Sequence, residues 1–179
     1  MMKKSMNFLF LVVALSLIGS LAQAQVVGTV EKIEGAPEVK RSGTSNWSSI
    51  KNADTVAIGD QLRTREGTKM AIRMSDDSML TLAEKTVITI DDQTLKPSGQ
   101  NTSIFSLLLG KVRAVVSDRY KEPGSRFEVR TPTAVAGVRG TEFIAEATAD
   151  ESQFFGLESE TVVHLRAFGI CERAKGCRG

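Results

Sequence analysis

The chain has few of the residues on which most enzyme chemistry depends. Its 179 residues include one histidine, His164, and two cysteines. A hydrolase needs a nucleophile, a base and groups that stabilise developing charge in one place, and the sequence contains no G-x-S-x-G, HExxH or phosphate-binding glycine motif. His164 alternates with apolar residues, which is typical of a strand residue and not of a catalytic base or ligand. We therefore expect no enzymatic activity, no catalytic residues and no cofactor.

Acidic pairs are the remaining candidates for a reactive or metal-binding site. Asp76-Asp77 and Asp91-Asp92 offer the hard oxygen ligands that Ca²⁺ prefers, and acidic sites also occur in sugar-cleaving β-helices. Each pair follows an apolar burst, where acidic residues commonly form turns. We expect both pairs to cap turns at strand ends, and the sequence predicts no metal site.

The N-terminus has the three-part layout of a secretory signal peptide. A basic start is followed by an apolar run from Phe8 to Ile18 and by small residues that end at Ala24. Ala22-x-Ala24 fits a cleavage site, so residues 1–24 are the expected leader and Gln25 the expected mature start. The run is well short of the roughly 20 apolar residues that span a bilayer. We therefore expect export to the periplasm or beyond, with no membrane span after cleavage.

Neither sign of charge dominates once the leader is removed. Lys3 and Lys4 belong to the leader, so 21 basic residues remain against 21 acidic ones. A nucleic-acid-binding protein needs a clustered basic face, and we expect no nucleic-acid partner. The 155 residues from Gln25 onward are enough for one domain with a buried core. We place that domain at residues 25–165. For the tail, residues 166–179, three alternatives stay open: it is truncated, divergent or disordered.

The two cysteines, Cys171 and Cys177, lie close together in that tail. Their C-x5-C spacing differs from the paired CxxC pattern of zinc sites. In the oxidising compartment that the leader implies, they form either a local disulfide or free structural thiols. Both lie beyond the expected core, so neither is expected to hold the fold together.

Apolar residues of the mature chain recur mostly at a spacing of two, which predicts strands. Examples are Met70, Ile72 and Met74, and the bursts follow one another at the spacing of an all-β domain. Ser103 to Leu109 is the one segment that competes as a helix. Because it ends at Gly110 and alternation then resumes, we interpret it as a strand, a glycine corner and another strand.

The segment from Phe127 to Phe143, FEVRTPTAVAGVRGTEF, has the most distinctive pattern. Phe127 and Val129 alternate with charged residues, Pro132 breaks the run, and Gly137 and Gly140 precede renewed alternation. The pattern predicts a strand, a forced corner and a strand. Without two-residue hairpin signals such as Asn-Gly, the chain as a whole favours a solenoid of stacked turns. The absence of a strict repeat leaves a β-sandwich as the alternative.

Several motifs resemble, in order, those of the FecR domain, an envelope-side module of sigma-factor regulators and of many exported bacterial proteins. They are the opening VGTVEKIEGAPEV, a tryptophan, a Gly-Asp element, L-x-G-x-V and VRTPTAVAGVRGTEF, and the resemblance covers about Val26 to Leu165. It implies a right-handed β-helical or solenoid-like module. It assigns a structural or interaction role to Trp47, Gly59, Asp60, Gly110, Thr131, Pro132, Gly137, Arg139, Gly140, Thr141, Glu142 and Phe143.

Simple physical roles are expected for several of these residues. Gly59-Asp60 would form a turn, Trp47 would anchor its loop, and Arg139 with Glu142 would form an ion pair across a bend. The chain also departs from sigma-regulating members. They carry a cytoplasmic segment and a membrane span before this module and a receptor-facing domain after it. Here we expect a cleavable leader before the module and a short tail after it.

Two functions are consistent with this pattern. The first is a non-enzymatic envelope module, for signalling or as a scaffold, that binds an envelope protein through an exposed strand edge or an open end of the solenoid. The second is binding of glycan or peptidoglycan, for which Trp47, Tyr120, Phe154 and Phe155 are the available stacking rings.

Overall fold

The computed structural model describes residues 25–156 and the backbone of 161–164. The expected leader, with Ala24 at its end, lies outside the described residues, as do Cys171, Cys177 and the tail. The predictions on these segments stay predictions.

The described chain is all-β, as the alternating pattern predicts. Its strands are β1 (Val26–Glu34), β2 (Glu38–Lys40), β3 (Ser48–Ser49), β4 (Thr55–Ala57), β5 (Gln61–Arg63), β6 (Lys69–Met74), β7 (Met79–Leu82), β8 (Val87–Thr94), β9 (Thr102–Val115), β10 (Arg126–Arg130), β11 (Val135–Val138), β12 (Glu142–Ala147), β13 (Ser152–Gly156) and β14 (Thr161–His164). One 3₁₀ turn, Asp118–Lys121, follows β9.

These strands form one curled sheet, a half-barrel, whose two halves share β9. We call the half with the order β4-β1-β6-β7-β9-β12-β13 sheet A. The half with the order β3-β2-β5-β8-β9-β10-β11-β14 is sheet B. Buried side chains from both halves make one hydrophobic core, so the two halves close on each other.

The long strand β9 passes from sheet B to sheet A at Gly110. This residue has φ 93°, and a Cβ there would lie 2.5 Å from the carbonyl oxygen of Lys85. Only glycine fits such a conformation and approach. Thr86 holds the bend, because its hydroxyl accepts from the Lys111 amide at 3.0 Å. The predicted strand, glycine corner and strand are therefore one strand of 14 residues with a bend.

The predicted solenoid is not confirmed. Among the described strands, twelve pairings are antiparallel and only that of β9 with β10 is parallel. The argument from missing hairpin signals fails because other residues make the tight turns. Asp77 adopts φ 70° between β6 and β7, and Thr131 donates to the carbonyl of Ala134 at 2.8 Å between β10 and β11. Aspartate tolerates positive φ better than most residues.

The segment from Phe127 to Phe143 contains three strands and not two. The residues between the expected strands form β11, which includes Gly137 and pairs with β10. Gly140 alone of the two glycines has a positive φ, 59°, and a Cβ there would lie 2.7 Å from Cγ of Lys121. The corner is therefore at Gly140.

Aromatic rings fill the core where β9, β10 and β12 meet. Phe127 lies at the centre, with ring centroids 5.3 Å from Phe105, 5.3 Å from Tyr120 and 6.2 Å from Phe143. All four side chains are fully buried. Tilted and edge-to-face pairs of this kind contribute beyond the area that they bury, about 0.5–1.5 kcal/mol each.

Candidate interaction site

The open edge of sheet A is the strongest candidate for an interaction site. Among the described residues, β3, β4, β13 and β14 each pair with one neighbour only. Strands β3 and β4 are two and three residues long, whereas β13 has five. It is therefore the longest open edge, and its side chains are described.

On this open side, the backbone groups of β13 have no strand partner within the described part of the chain. The amide of Thr148 donates to the carbonyl of Glu151 at 2.8 Å and closes the β12–β13 hairpin. Hydrogen-bonded pairs alternate along an antiparallel ladder, so Gln153 and Phe155 bond to β12. The N–H and C=O groups of Ser152, Phe154 and Gly156 consequently point away from β12, where an added strand would lie.

The side chains of β13 leave this edge unprotected. The strand reads Ser-Gln-Phe-Phe-Gly and carries neither charge nor proline, the devices that commonly protect sheet edges. Phe154 packs against the core, while Phe155 is 47% exposed on the outer face of sheet A. Ser152 fixes the strand, because its hydroxyl lies 2.7 Å from that of Thr131 and 2.6 Å from that of Thr133.

The outer face of sheet A next to this edge also has features of an interaction surface. Arg113, Ile144 and Phe155 lie opposite one another on β9, β12 and β13. Beyond Ile144 the face has a shallow groove of about 220 Å³, lined mainly by apolar atoms and rimmed by Lys69 and Lys111 as well as Arg113. The face thus combines an exposed aromatic ring with an apolar groove and cations.

Ion pairs order the charges of this face. Arg113 binds Glu142 at 2.6 Å, and Lys111 binds Glu146 at 2.9 Å. The expected pair between Arg139 and Glu142 is wrong, because Arg113 is the diagonal neighbour of Glu142 on the same face of the ladder. Its hydrogen bond with Glu142 raises the pKa of Arg113.

Asp60 is a buried carboxylate at the β4–β5 turn. It accepts hydrogen bonds from the amides of Ala57 and Ser42, each at 3.0 Å, and forms an ion pair with Arg41 at 2.7 Å. Gly59 and Asp60 form the expected turn, with φ 84° at Gly59. The burial of Asp60 shows that it also ties the loop after β2 to this turn.

Asp76 is the centre of a second buried polar cluster. It accepts from the amide of Ser78 at 2.8 Å, from Nε2 of Gln93 at 3.1 Å and from the hydroxyl of Ser103 at 3.2 Å. The phenol of Tyr120 also donates to it. Burial, and then the hydrogen bond to Asp76, raise the pKa of Tyr120 above its ordinary value. These groups are buried and hydrogen-bonded to one another, although Oε1 of Gln93 has no partner among the described residues. The mutual bonding suits a structural network.

The second acidic pair does not cap a turn. Asp91 and Asp92 lie inside β8, at a bulge where the strand shifts register against β9. Asp91 accepts from the hydroxyl of Ser106 at 2.5 Å. A bulge absorbs one extra residue without ending the strand. The prediction that Asp91 and Asp92 mark the end of a strand was therefore wrong. Within residues 25–156, no three acidic, histidine or cysteine side chains cluster closely enough to hold a metal ion.

The family model described as FecR protein matches residues 60–160. The chain belongs to the FecR family. Members of this family take part in envelope signalling, are not known as enzymes, and carry a module of the bacterial periplasmic type. No curated protein and no solved structure matches the chain. Nowhere in the described part of the chain does a helix reach the length and hydropathy that a bilayer span requires.

The FecR match is narrower than the resemblance that extends from Val26 to Leu165. It begins at Asp60 and includes β5 to β13, so Trp47 and Gly59 precede it. Strands β1 to β4 nevertheless pair with strands inside the matched range. The FecR-family fold of this chain therefore includes segments that the family pattern does not cover.

The FecR-like motif residues do not converge on one site. Thr131 and Pro132 form the β10–β11 turn, Gly137 lies in β11, Arg139 is exposed, and Phe143 is in the core. The hydroxyl of Thr141 is buried without a partner among the described residues. These positions shape turns and packing, and the open edge at β13 is a separate feature of the FecR module.

Trp47 is covered by cationic side chains. The guanidinium of Arg63 lies 4.1 Å from the ring centroid, and Nζ of Lys40 lies 5.3 Å from it. Arg63 also binds Glu38 at 2.7 Å, and hydrogen bonds from Arg65 and Arg63 lower the pKa of Glu38. A ring face occupied by a cation is a poor platform for a sugar.

The other rings proposed for glycan binding are no better placed. Tyr120 is fully buried, which contradicts its use as an exposed platform, and Phe154 faces the core. Phe155 is exposed, but no second exposed ring accompanies it within residues 25–156. The glycan hypothesis therefore has no support from the geometry. Sequence reasoning named Phe155 only as a sugar platform and missed that it marks the open edge.

Proposed function

We propose that this FecR-family chain is an exported, non-enzymatic envelope protein that binds another protein by adding its strand to β13. The observation that carries the proposal is the unprotected edge itself. Three residues there have backbone groups without a strand partner among residues 25–156 and 161–164, and an exposed phenylalanine lies beside them. Strand addition uses such edges because the main chain supplies the hydrogen bonds and neighbouring side chains supply the choice of partner.

The bound segment would continue sheet A past β13. The free groups of Ser152, Phe154 and Gly156 would each gain partners, and a protein hydrogen bond contributes about 0.5–1.5 kcal/mol net. Alternate side chains of the added strand would lie beside Phe155 on the outer face. The family's role in envelope signalling supports a protein as the partner.

For the fold, we propose a sandwich-like arrangement in place of the solenoid. The pairing supports it, because it is antiparallel everywhere in the described strands except between β9 and β10, and so does the single core between the two halves. The motif residues at turns and in the core would then keep β12 and β13 in position. Their proposed role in binding is indirect, through the edge that they support.

Export is proposed from the leader pattern of residues 1–24, with a mature domain at 25–165. Cys171 and Cys177 would be oxidised to a local disulfide in the periplasm. Mass spectrometry of the purified mature protein tests the cleavage of the leader and the disulfide. A mass that begins at Gln25 and is two hydrogens lighter than the dithiol supports them, and an uncleaved N-terminus would contradict export by cleavage.

Site-specific photo-crosslinking tests the binding proposal. A benzophenone amino acid is placed at Phe155 in cells, with Leu108 as the matched control because it is an exposed leucine, at 56%, on the part of β9 that belongs to sheet B. Position 155 should crosslink one defined envelope protein, and position 108 should not. Identical products at both positions, or none at 155, would contradict binding at this edge. Sedimentation with peptidoglycan that depends on Phe155 would instead favour the glycan hypothesis.

A further inference from the structure

We propose that β13 also pairs with β13 of a second copy of this chain, forming a symmetric dimer through the edges of two A sheets. The inference rests on the proposed function in one respect, that β13 is the binding edge. It adds the identity of one partner. The argument comes from the order of free groups along the strand.

The free groups of β13 are arranged symmetrically about Phe154. Ser152 and Gly156 lie two residues to either side, and all three point their N–H and C=O groups to the open side. In an antiparallel pair with a two-fold axis at Phe154, this residue pairs with its own copy, and Ser152 pairs with Gly156 of the second copy. Every free donor then meets a free acceptor.

The side chains agree with this register. Gln153 of one copy would lie opposite Phe155 of the other in a non-hydrogen-bonded pair, where side chains approach most closely. The two Phe155 rings would be diagonal neighbours on the outer face, within reach of each other. Both are 47% exposed in the single chain, so the dimer would cover the exposed ring.

Charge gives no obstacle to self-pairing. All five residues of β13 are uncharged, so two copies do not bring like charges together along the strand. An edge meant to avoid its own copy commonly carries a lysine or another charged residue. A charge at Phe155 is therefore the direct way to separate the two copies.

The first test measures mass by sedimentation velocity of the exported protein, from low micromolar to about 100 µM, a range typical of weak edge contacts. The wild type should reach the mass of a dimer. Phe155→Lys should weaken dimerisation by about tenfold or more, because it removes the contact between the two rings and makes two lysines diagonal neighbours on one face. Leu108→Lys adds the same charge at an exposed leucine of sheet B and should dimerise as the wild type does. A wild type that stays monomeric, or a dimer that Phe155→Lys leaves intact, overturns the proposal.

The second test reads the register directly. In a background with Cys171→Ser and Cys177→Ser, protein carrying Gln153→Cys is mixed with protein carrying Phe155→Cys. Opposed non-hydrogen-bonded residues are close enough for a disulfide, so the mixture should oxidise to a crosslinked pair faster than either variant alone. Equal crosslinking in all three samples would contradict this register.

These outcomes separate the dimer from the proposed function. Crosslinking of position 155 to an envelope protein, with a monomeric wild type, would refute the dimer and leave the proposed function intact. A dimer with no other crosslinked protein would support the dimer and refute the envelope partner.

Discussion

Asp60 and Asp76 are both buried carboxylates at turns, but their environments differ in two respects. Asp60 faces the cation of Arg41, and its partners lie within 19 residues along the chain. Asp76 receives only neutral donors, from residues up to 44 positions away. The first carboxylate fixes two neighbouring loops, whereas the second joins the β6–β7 turn to β8, β9 and the 3₁₀ turn. Asp60 therefore stabilises local structure, whereas Asp76 connects distant parts of the domain.

The largest expected effect is that of Asp76→Asn. The replacement keeps the shape but turns an amide group toward the donors of Gln93, Ser103 and Tyr120. Unsatisfied buried donors cost about 1–3 kcal/mol each, partly relieved by rearrangement, so we expect a loss of about 2–4 kcal/mol in the free energy of unfolding. Urea denaturation followed by circular dichroism measures it.

Asp77→Asn is the matched control for this change. Asp77 is exposed, forms only a surface ion pair with Arg119 at 3.2 Å, and has a positive φ that asparagine tolerates. It should shift the unfolding free energy by less than about 0.5 kcal/mol. Equal losses at positions 76 and 77 would show that the buried cluster has no special role.

Asp60→Asn should have the smaller effect of the two aspartates. It removes charge-assisted hydrogen bonds, worth about 1.5–3 kcal/mol in buried settings, but Arg41 is partly exposed and can turn to water. Hydrogen exchange should become faster near Ser42 and Ala57 while the amides of β9 stay protected. Faster exchange throughout β9 would mean that Asp60, like Asp76, supports the whole domain.

The smallest effect is one on pH dependence. The pKa of Tyr120 is raised above the ordinary value of 10.0, first by burial and then by Asp76. Above pH 10 the unfolded chain loses this proton while the folded chain keeps it, so the stability that this group contributes is present below pH 10 and falls as pH rises. The slope approaches about 1.4 kcal/mol per pH unit.

Tyr120→Phe isolates this contribution, because the chain has no other tyrosine. The difference in unfolding free energy between wild type and variant should be constant from pH 7 to 9 and shrink above pH 10. Urea titrations at a series of pH values measure it. A difference that stays constant above pH 10 would mean that the folded phenol ionises as easily as the unfolded one.

Local sequence patterns predicted where the strands lie. How the strands pair depends on contacts between residues that are distant in sequence. Met70, Ile72 and Met74 alternate in the sequence and are buried in β6, because a strand's inward face is set by its own residues. The pairing of the strands was not predictable in the same way. Turns at Asp77 and at Pro132-Thr133 have no Asn-Gly signal, so the antiparallel hairpins escaped notice.

The candidate site was harder still to predict. The turn at Asp76 was expected, but its partners Gln93, Ser103 and Tyr120 lie 17 to 44 residues away and share no spacing with it. In β13 two adjacent phenylalanines face opposite sides of the sheet. The local sequence does not reveal that β13 is an edge strand among the described strands. Whether a strand lies at an edge depends on the order of all strands in the sheet.

The strand that both sheets share has a consequence for how the polypeptide acquires its structure. Strands β1 to β8 form two groups that are joined by pairing only when β9 has been made. The ribosome must therefore synthesise more than half of the polypeptide before β9 can pair with both groups. Native contacts between residues far apart in sequence form slowly, so we expect the amino-terminal half of the new chain to remain accessible to chaperones during that interval.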